Sequence, residues 1–184
     1  GPLQTTLAVL PGMRERRHGR IVNVSSLGGK LAVPHLLPYS ASKFALTGLS
    51  EGMRAELLQH GVVVTAVCPG LMRTGSPLNA FFKGQHRKEY TWFTILDSLP
   101  LISMSAETAA RRILRAVRRG KPEVTLSAPA YLATRLHGLL PGVVTDVLGL
   151  LNRLLPAPNG IGTQRAKGKD SQSRPTASFL TFLT

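Results

Sequence analysis

The sequence predicts an α/β chain built on an open but incomplete parallel sheet. Short β-branched apolar runs at residues 20–26, 62–67 and 123–126 alternate with stretches of helical periodicity. The run from Val62 to Val67 is almost unbroken in apolar residues, as expected of a strand covered on both faces rather than one with an alternating wet side. With three strands, such a sheet would keep a long unpaired edge and one incompletely covered face.

Taken in order, residues 3–17 are expected to form a helix. Leu3, Leu7 and Leu10 recur at spacings of four and three, Pro11 perturbs the run, and the basic stretch from Arg14 to Arg17 ends it before Gly19. No Ser, Thr or Asp caps its start, the pattern of an element that has been cut. The next strand delivers Ser25 and Ser26 at its carboxyl end, followed by a loop with Gly28 and Gly29. Residues 39–59 form the clearest helix, with Leu46, Leu49, Met53 and Leu57 at helical spacing and Gly61 as its stop. Gly48 and Gly52 sit four apart on another face, where a second helix could approach closely. Pro69 and Gly70 close the second strand.

Periodicity then fails from Leu71 to Ser103. Five of the ten aromatic residues crowd between Phe81 and Phe93 among Lys83, Arg87 and Lys88, which predicts a lid or binding loop. Residues 105–119 are expected to be a helix opened by Ser105, with Glu107 in the first turn and Arg118 and Arg119 in the last, matching the helix dipole. After the third strand, residues 129–155 are Leu-rich and helical with a break near Pro141 and Gly142. Residues 156–184 are polar, basic and expected to be disordered. The domain reading is therefore 1–128 for the sheet portion, 129–155 for a helical extension and 156–184 for a tail.

Composition limits the function classes. At 184 residues and 43% hydrophobic, the chain has the size and content of one domain with a core. The single cysteine, Cys68, excludes an internal disulfide, and the five histidines show no metal-ligand spacing. Cys68 is expected to be buried strand packing rather than a nucleophile. There is no signal-peptide pattern and no apolar run of spanning length, so the expected location is cytoplasmic or at a membrane surface. Twenty-three Lys and Arg against nine acids leave a net charge of +14. A phosphorylated cofactor, an anionic lipid surface or nucleic acid would each gain from clustered cations, and a solvated Arg-rich surface without a dedicated partner is the plain alternative. No nucleic-acid-binding motif is present, so no nucleic-acid partner is expected.

One spacing carries chemistry. Tyr39 and Lys43 stand four apart at the start of a helix, hence on one face with Cβ atoms about 5 to 6 Å apart. A neighbouring ammonium stabilises phenolate and lowers a pKa that is ordinarily about 10 toward the range of a working acid or base. Alone, the pair is equally an ordinary polar helix face. Its context is more specific: a strand ending in Ser26 lies thirteen residues before Tyr39, and a second strand ends in Pro69 and Gly70.

In these pieces, Gly-Arg-Ile-Val-Asn-Val-Ser-Ser ending at Ser26, Tyr-Ser-Ala-Ser-Lys from Tyr39, and Val-Cys-Pro-Gly-Leu-Met-Arg-Thr ending at Thr74, the chain resembles the short-chain dehydrogenase/reductase family over about residues 1–127. The resemblance implies a Rossmann-like doubly wound parallel sheet, incomplete because the amino-terminal half is missing. It implies an oxidoreductase that interconverts an alcohol and a carbonyl with NAD or NADP. Ser26 would hold the substrate oxygen, Tyr39 would pass the proton, and Lys43 would lower the tyrosine pKa and bind the cofactor ribose. Pro69 and Gly70 would line the nicotinamide pocket and Thr74 would bond its carboxamide. Ser25, one residue off the family spacing, is the runner-up to Ser26.

The family's Gly-rich phosphate loop, its acidic or basic selector between NAD and NADP, and its upstream asparagine all precede residue 1 in the family order. The glycines at 28, 29, 70 and 75 do not replace them, since a phosphate cradle needs a strand before and a helix start after. The chain is thus expected to be truncated. The expected partners are a small, apolar alcohol or ketone and a second copy through the 39–59 helix. The alternatives are a non-catalytic remnant that acts as an interaction or dimerisation module, and a basic peripheral-membrane protein using residues 129–155.

Overall fold

A computed structural model describes residues 1–157 and 159–172. Its residues fall into two compact units.

The first unit comprises residues 1–70 and 109–144. Its centre is a parallel sheet in the order β1 (Gly19–Val24), β2 (Val62–Cys68), β6 (Glu123–Thr125), as the three apolar runs predicted. Gly19 faces Val62 and Val24 faces Val67, while Ala66 to Cys68 face Glu123 to Thr125. β2 is central and, apart from half-buried Val63, wholly buried. β1 alternates instead. Gly19, Ile21 and Asn23 point inward, whereas Val22 and Val24 stay exposed, so one sheet face is incompletely covered.

Two helices cover the inner face. Ile21, Val62, Val64 and Leu57 form the apolar core, with Leu10 and Met13 from α1 (Pro2–Glu15) and Met53 from α2 (Leu37–Leu57) packed against it. Gly61 turns the chain from α2 into β2 at φ +72°, and a Cβ there would overlap the Arg17 carbonyl, so no other residue fits. The fully buried residues of α2 are Ser40, Thr47, Ser50 and Leu57, and Leu46, Leu49 and Met53 are half-buried. The small polar side rather than the leucine side thus lies deepest. Asn23 donates to Ser50 Oγ at 2.9 Å, and Ser50 donates to the Leu46 carbonyl at 2.7 Å. Arg54 then donates to the carbonyls of Val64 and Gly120, tying α2 to β2 and to the turn before β6. α4 (Ala106–Arg118) buries Ala109 and Ala116, and α5 (Ala128–Leu139) begins at Ser127, whose hydroxyl accepts from Ala130 N. α6 (Pro141–Asn152) follows after Leu140 breaks the helical path, placing the break where Pro141 predicted it.

The second unit comprises residues 71–108 and, among the described residues, 145–157 and 159–172. The expectation of a lid or loop over residues 71–103 is corrected here. Strand β3 (Leu71–Arg73) pairs in parallel with β5 (Ser103–Ser105), β4 (Phe81–Phe82) precedes α3 (His86–Ser98), and β4 pairs antiparallel with β7 (Ala166–Lys167). The helix was hidden because its buried face is Tyr90, Thr94, Asp97 and Ser98, a helical set that is mostly polar. Phe82 packs edge-on against Tyr90 and Phe93 at centroid distances of 5.7 and 6.2 Å, so these aromatics build the unit's interior. Residues 166–171, expected within a disordered tail, form β7 and a 3-10 turn whose Ser171 lies 2.9 Å from His86 Nδ1. Residues 158 and 173–184 of that predicted tail lie outside the described residues.

Asp97 anchors β3. One carboxylate oxygen accepts from Met72 N at 3.1 Å, while the other is buried without a hydrogen-bond partner among the described residues. Burial pushes its pKa up to about 6, against the opposing pull of the Met72 N–H and the Arg73 charge. A carboxyl raised above its unfolded value is most stabilising when protonated, and that stability is lost as pH rises through about 6. Asp97→Asn keeps an acceptor for Met72 and removes the buried charge. It is expected to raise the melting free energy at pH 7.5 by about 1 to 3 kcal/mol and to flatten the stability difference between pH 5 and pH 7.5. Thermal melts of both proteins across that range check it.

Candidate active site

The three parallel strands end together, and Ser26, Tyr39, Lys43, Pro69 and Gly70 lie toward their carboxyl ends, where open α/β sheets bind ligands. Backbone bonds knit these ends. Ser25 N donates to the Val67 carbonyl, Leu27 N to the Pro69 carbonyl, both at 2.7 Å, and Leu126 N to the Cys68 carbonyl at 3.4 Å. Gly70 lets the start of α5 come close, since a Cβ there would lie 2.7 Å from Ser127 Oγ and 3.0 Å from Ala130 Cβ.

The two adjacent serines part company. Ser25 is buried; its hydroxyl donates to the Lys43 carbonyl at 2.9 Å and lies 2.8 Å from Thr47 Oγ1. Ser26 is half-buried and caps the 3-10 turn over Leu27–Gly29, accepting from Gly28 N at 3.1 Å, which leaves its own O–H to donate elsewhere. Gly29 presses on α2 so closely that a Cβ would sit 2.5 to 2.7 Å from Ser25 Oγ, the Lys43 carbonyl and Thr47 Oγ1.

Tyr39 and Lys43 share one face of the first turns of α2, as their spacing required. The Lys43 ammonium lies 5.6 Å from the centre of the Tyr39 ring. It also donates to the Val24 carbonyl at 3.0 Å, which pins it to the end of β1. Burial lowers the Lys43 pKa, partly offset by the Cys68 thiol nearby. The Tyr39 ring passes over Gly28, where a Cβ would meet its Cε1 at 3.1 Å, and 44% of the residue is open to solvent. Tyr39 is thus a solvent-reaching phenol beside a half-buried ammonium and above the loop that carries Ser26.

Pro69 and Gly70 end the first unit, whereas Thr74 belongs to the second, its hydroxyl 3.5 Å from the Met72 carbonyl. Cys68 is buried with its thiol pushed up to about 11 by burial, so it is no nucleophile at neutral pH. His35 occupies a left-handed backbone position at φ +64°. No group of three His, Cys, Asp or Glu among the described residues is placed to hold a metal. Sequence reasoning missed the Val24 carbonyl as the acceptor for Lys43, and Thr47 and Gly29 as the parts that seat α2. The Ser-Ser-x-Gly-Gly spelling around Ser26 was the available signal for a close backbone approach.

Apart from this end of the sheet, a groove of about 770 Å³ lies between α2 and α5, lined among others by Phe44, Thr47, Gly48, Arg135 and His137. Apart from the helix's own backbone, no atom of the described residues lies within 4 Å of where a Cβ would stand at Gly48 or Gly52, so among those residues no other helix uses the close approach these glycines allow. The glycines therefore predict opposite responses. Gly29→Ala is expected to cost about 1 to 3 kcal/mol by forcing α2 off β1, and Gly48→Ala to add up to about 1 kcal/mol of helix propensity. Chemical denaturation of the two variants reads both.

Residues 1–81 match the short chain dehydrogenase family model. The chain is 35% identical over 144 residues to dehydrogenase/reductase SDR family member 7B of Bos taurus, covering 78% of this chain and 43% of that protein. It is 33% identical, again over 144 residues, to the Drosophila melanogaster dehydrogenase/reductase SDR family protein 7-like, covering 78% and 43%. It spans less than half the length of these curated relatives. Among solved structures it resembles a short-chain dehydrogenase from Burkholderia cenocepacia in complex with NADP, with a TM-score of 0.62, 26% identity and 79% of this chain against 53% of that one. It also resembles a short-chain dehydrogenase from Streptomyces avermitilis, with a TM-score of 0.58, 30% identity and 83% against 56%. A partial Rossmann-like sheet, a tyrosine and lysine paired on the helix that follows its first strand, and these likenesses together make the chain similar to the short-chain dehydrogenase/reductase family.

Proposed function

We propose that this chain supplies the proton-transfer end of an NAD(P)-dependent oxidoreductase acting on a small alcohol or ketone. The observation that carries the reading is the Lys43 ammonium, held by the Val24 carbonyl at the strand ends and 5.6 Å from the exposed Tyr39 ring. In carbonyl reduction the Tyr39 hydroxyl gives its proton to the substrate oxygen, and in alcohol oxidation the phenolate takes that proton back. Ser26, with its O–H free of the Gly28 bond, holds the substrate oxygen.

The residues fit the ribose and nicotinamide end of a dinucleotide. An ammonium has three N–H donors, and Val24 uses one, leaving two for ribose hydroxyls. Pro69, Gly70 and Thr74 are assigned the nicotinamide side by the family motif. A bound nicotinamide supplies or accepts the hydride. A second reading, an interaction module that docks another copy on α2, rests on the open space at Gly48 and Gly52.

In the protein that contains this chain, Tyr39→Phe is expected to lower turnover by about 100- to 10,000-fold while leaving the dissociation constant for NADPH within a few-fold. Lys43→Ala is expected to weaken both. Steady-state rates alongside a nicotinamide fluorescence titration separate the two, and near-normal turnover in Tyr39→Phe would remove the acid/base role. Absence of any dinucleotide binding together with a dimer dissolved by Gly48→Leu would favour the interaction module.

A further inference from the structure

We propose that α6 lies on an anionic lipid surface, its apolar arc in the acyl boundary and its polar side toward water. None of its twelve residues is buried, although it is one of the most apolar elements of the chain. Val143, Val147, Leu150 and Leu151 are exposed, as is Leu154 just after the helix, and Val144 and Leu148 are half-buried. At 100° per residue the six within the helix occupy a continuous arc of about 160°. Thr145, Asp146, Gly149 and Asn152 fill the remainder. An apolar face of this size left open among the described residues is a surface awaiting an occupant.

The width of the arc and the surrounding charge choose the occupant. A coiled-coil pairing buries a narrow seam, about two positions in seven, so this arc is too wide for that occupant alone, and a helix lying in a lipid interface buries a broad face of this kind. Spanning is excluded by length. Twelve residues rise about 18 Å, against a hydrocarbon core of about 30 Å, and no helix among the described residues is long and apolar enough to cross a membrane. Along the sequence on either side of α6 positive charge predominates: from residue 130 to 172 there are Arg135, Arg153, Arg165, Lys167 and Lys169 against Asp146 and Asp170. Cations flanking an apolar face add electrostatic attraction to lipid that carries net negative charge. The preceding helix repeats the pattern, with Leu132, Leu136 and Leu139 exposed at spacings of four and three.

The test is flotation of the purified protein with phosphatidylcholine vesicles, and with vesicles of about three parts phosphatidylcholine to one of phosphatidylserine. The wild type is expected to partition at least several-fold better onto the phosphatidylserine vesicles, and Leu150→Ser with Leu151→Ser to lower that partition about tenfold or more. Both side chains are exposed, so an unchanged thermal melt shows that the fold is kept. Leu101→Ser, at the most exposed leucine among the described residues, is the control and is expected to bind as wild type. Wild-type binding retained by the double variant, or lost equally in the control, would overturn the proposal. So would an absence of vesicle binding combined with a self-association that the double variant dissolves, which would assign the arc to a second copy.

Discussion

Lys43 is held at both ends. Its backbone carbonyl receives the Ser25 hydroxyl and the back-bonded Thr47 hydroxyl, and its ammonium donates to the Val24 carbonyl. These contacts lock the first turns of α2 across the carboxyl end of β1, and Gly29 closes the space around them with no room for a methyl group. The position of Tyr39 follows from that lock, since it stands one helical turn before Lys43. The serine loop is set by the same lock, because Ser25 is a member of it and Ser26 is the next residue. Pull α2 away from β1 and the phenol, the ammonium and the serine hydroxyl lose their common frame together.

The helices that frame each unit turn hydroxyls inward more than hydrocarbon, and the chemistry of burial explains how they can. Thr47, Ser50 and Ser98 each donate to the carbonyl four residues earlier, so the hydroxyl enters the interior already satisfied. Small back-bonded side chains let a helix approach a strand closely, which long aliphatic ones would prevent. Where the satisfaction is incomplete, ionisation records it. The Thr94 hydroxyl and one Asp97 oxygen lack partners among the described residues, and Asp97 holds its proton to about pH 6. The second unit thus carries its polar burden at the residue that also fastens β3.

Positive charge serves two purposes in this molecule. Several guanidinium groups cap backbone carbonyls at the ends of elements: Arg54 on Val64 and Gly120, Arg17 on Gln59, Arg20 on Val117, and Arg112 on Leu126. A carbonyl neutralises no charge, so these contacts hold the fold without reducing the field. Nine acids against 23 Lys and Arg leave fourteen cations with no possible one-to-one acidic partner. That excess supplies the attraction to polyanions on which both a phosphorylated cofactor and a lipid surface would draw.

By itself the sequence determined the order of the parallel strands' parts, the place of the main helix breaks and the pairing of Tyr39 with Lys43. All of these are local. β-branched runs, Gly61 and Pro141 act through backbone dihedrals, and residues four apart on a helix must share a face. Tertiary structure decided which of two neighbouring serines is buried, since only the packing of α2 on β1 distinguishes Ser25 from Ser26. It decided that residues 86–98 are a helix, whose inward face of Tyr90, Thr94, Asp97 and Ser98 has no hydrophobic period to reveal it. It decided, too, that the leucines of α6 face water while serines line α2's interior side, because burial is a property of what packs against a residue and not of the residue alone.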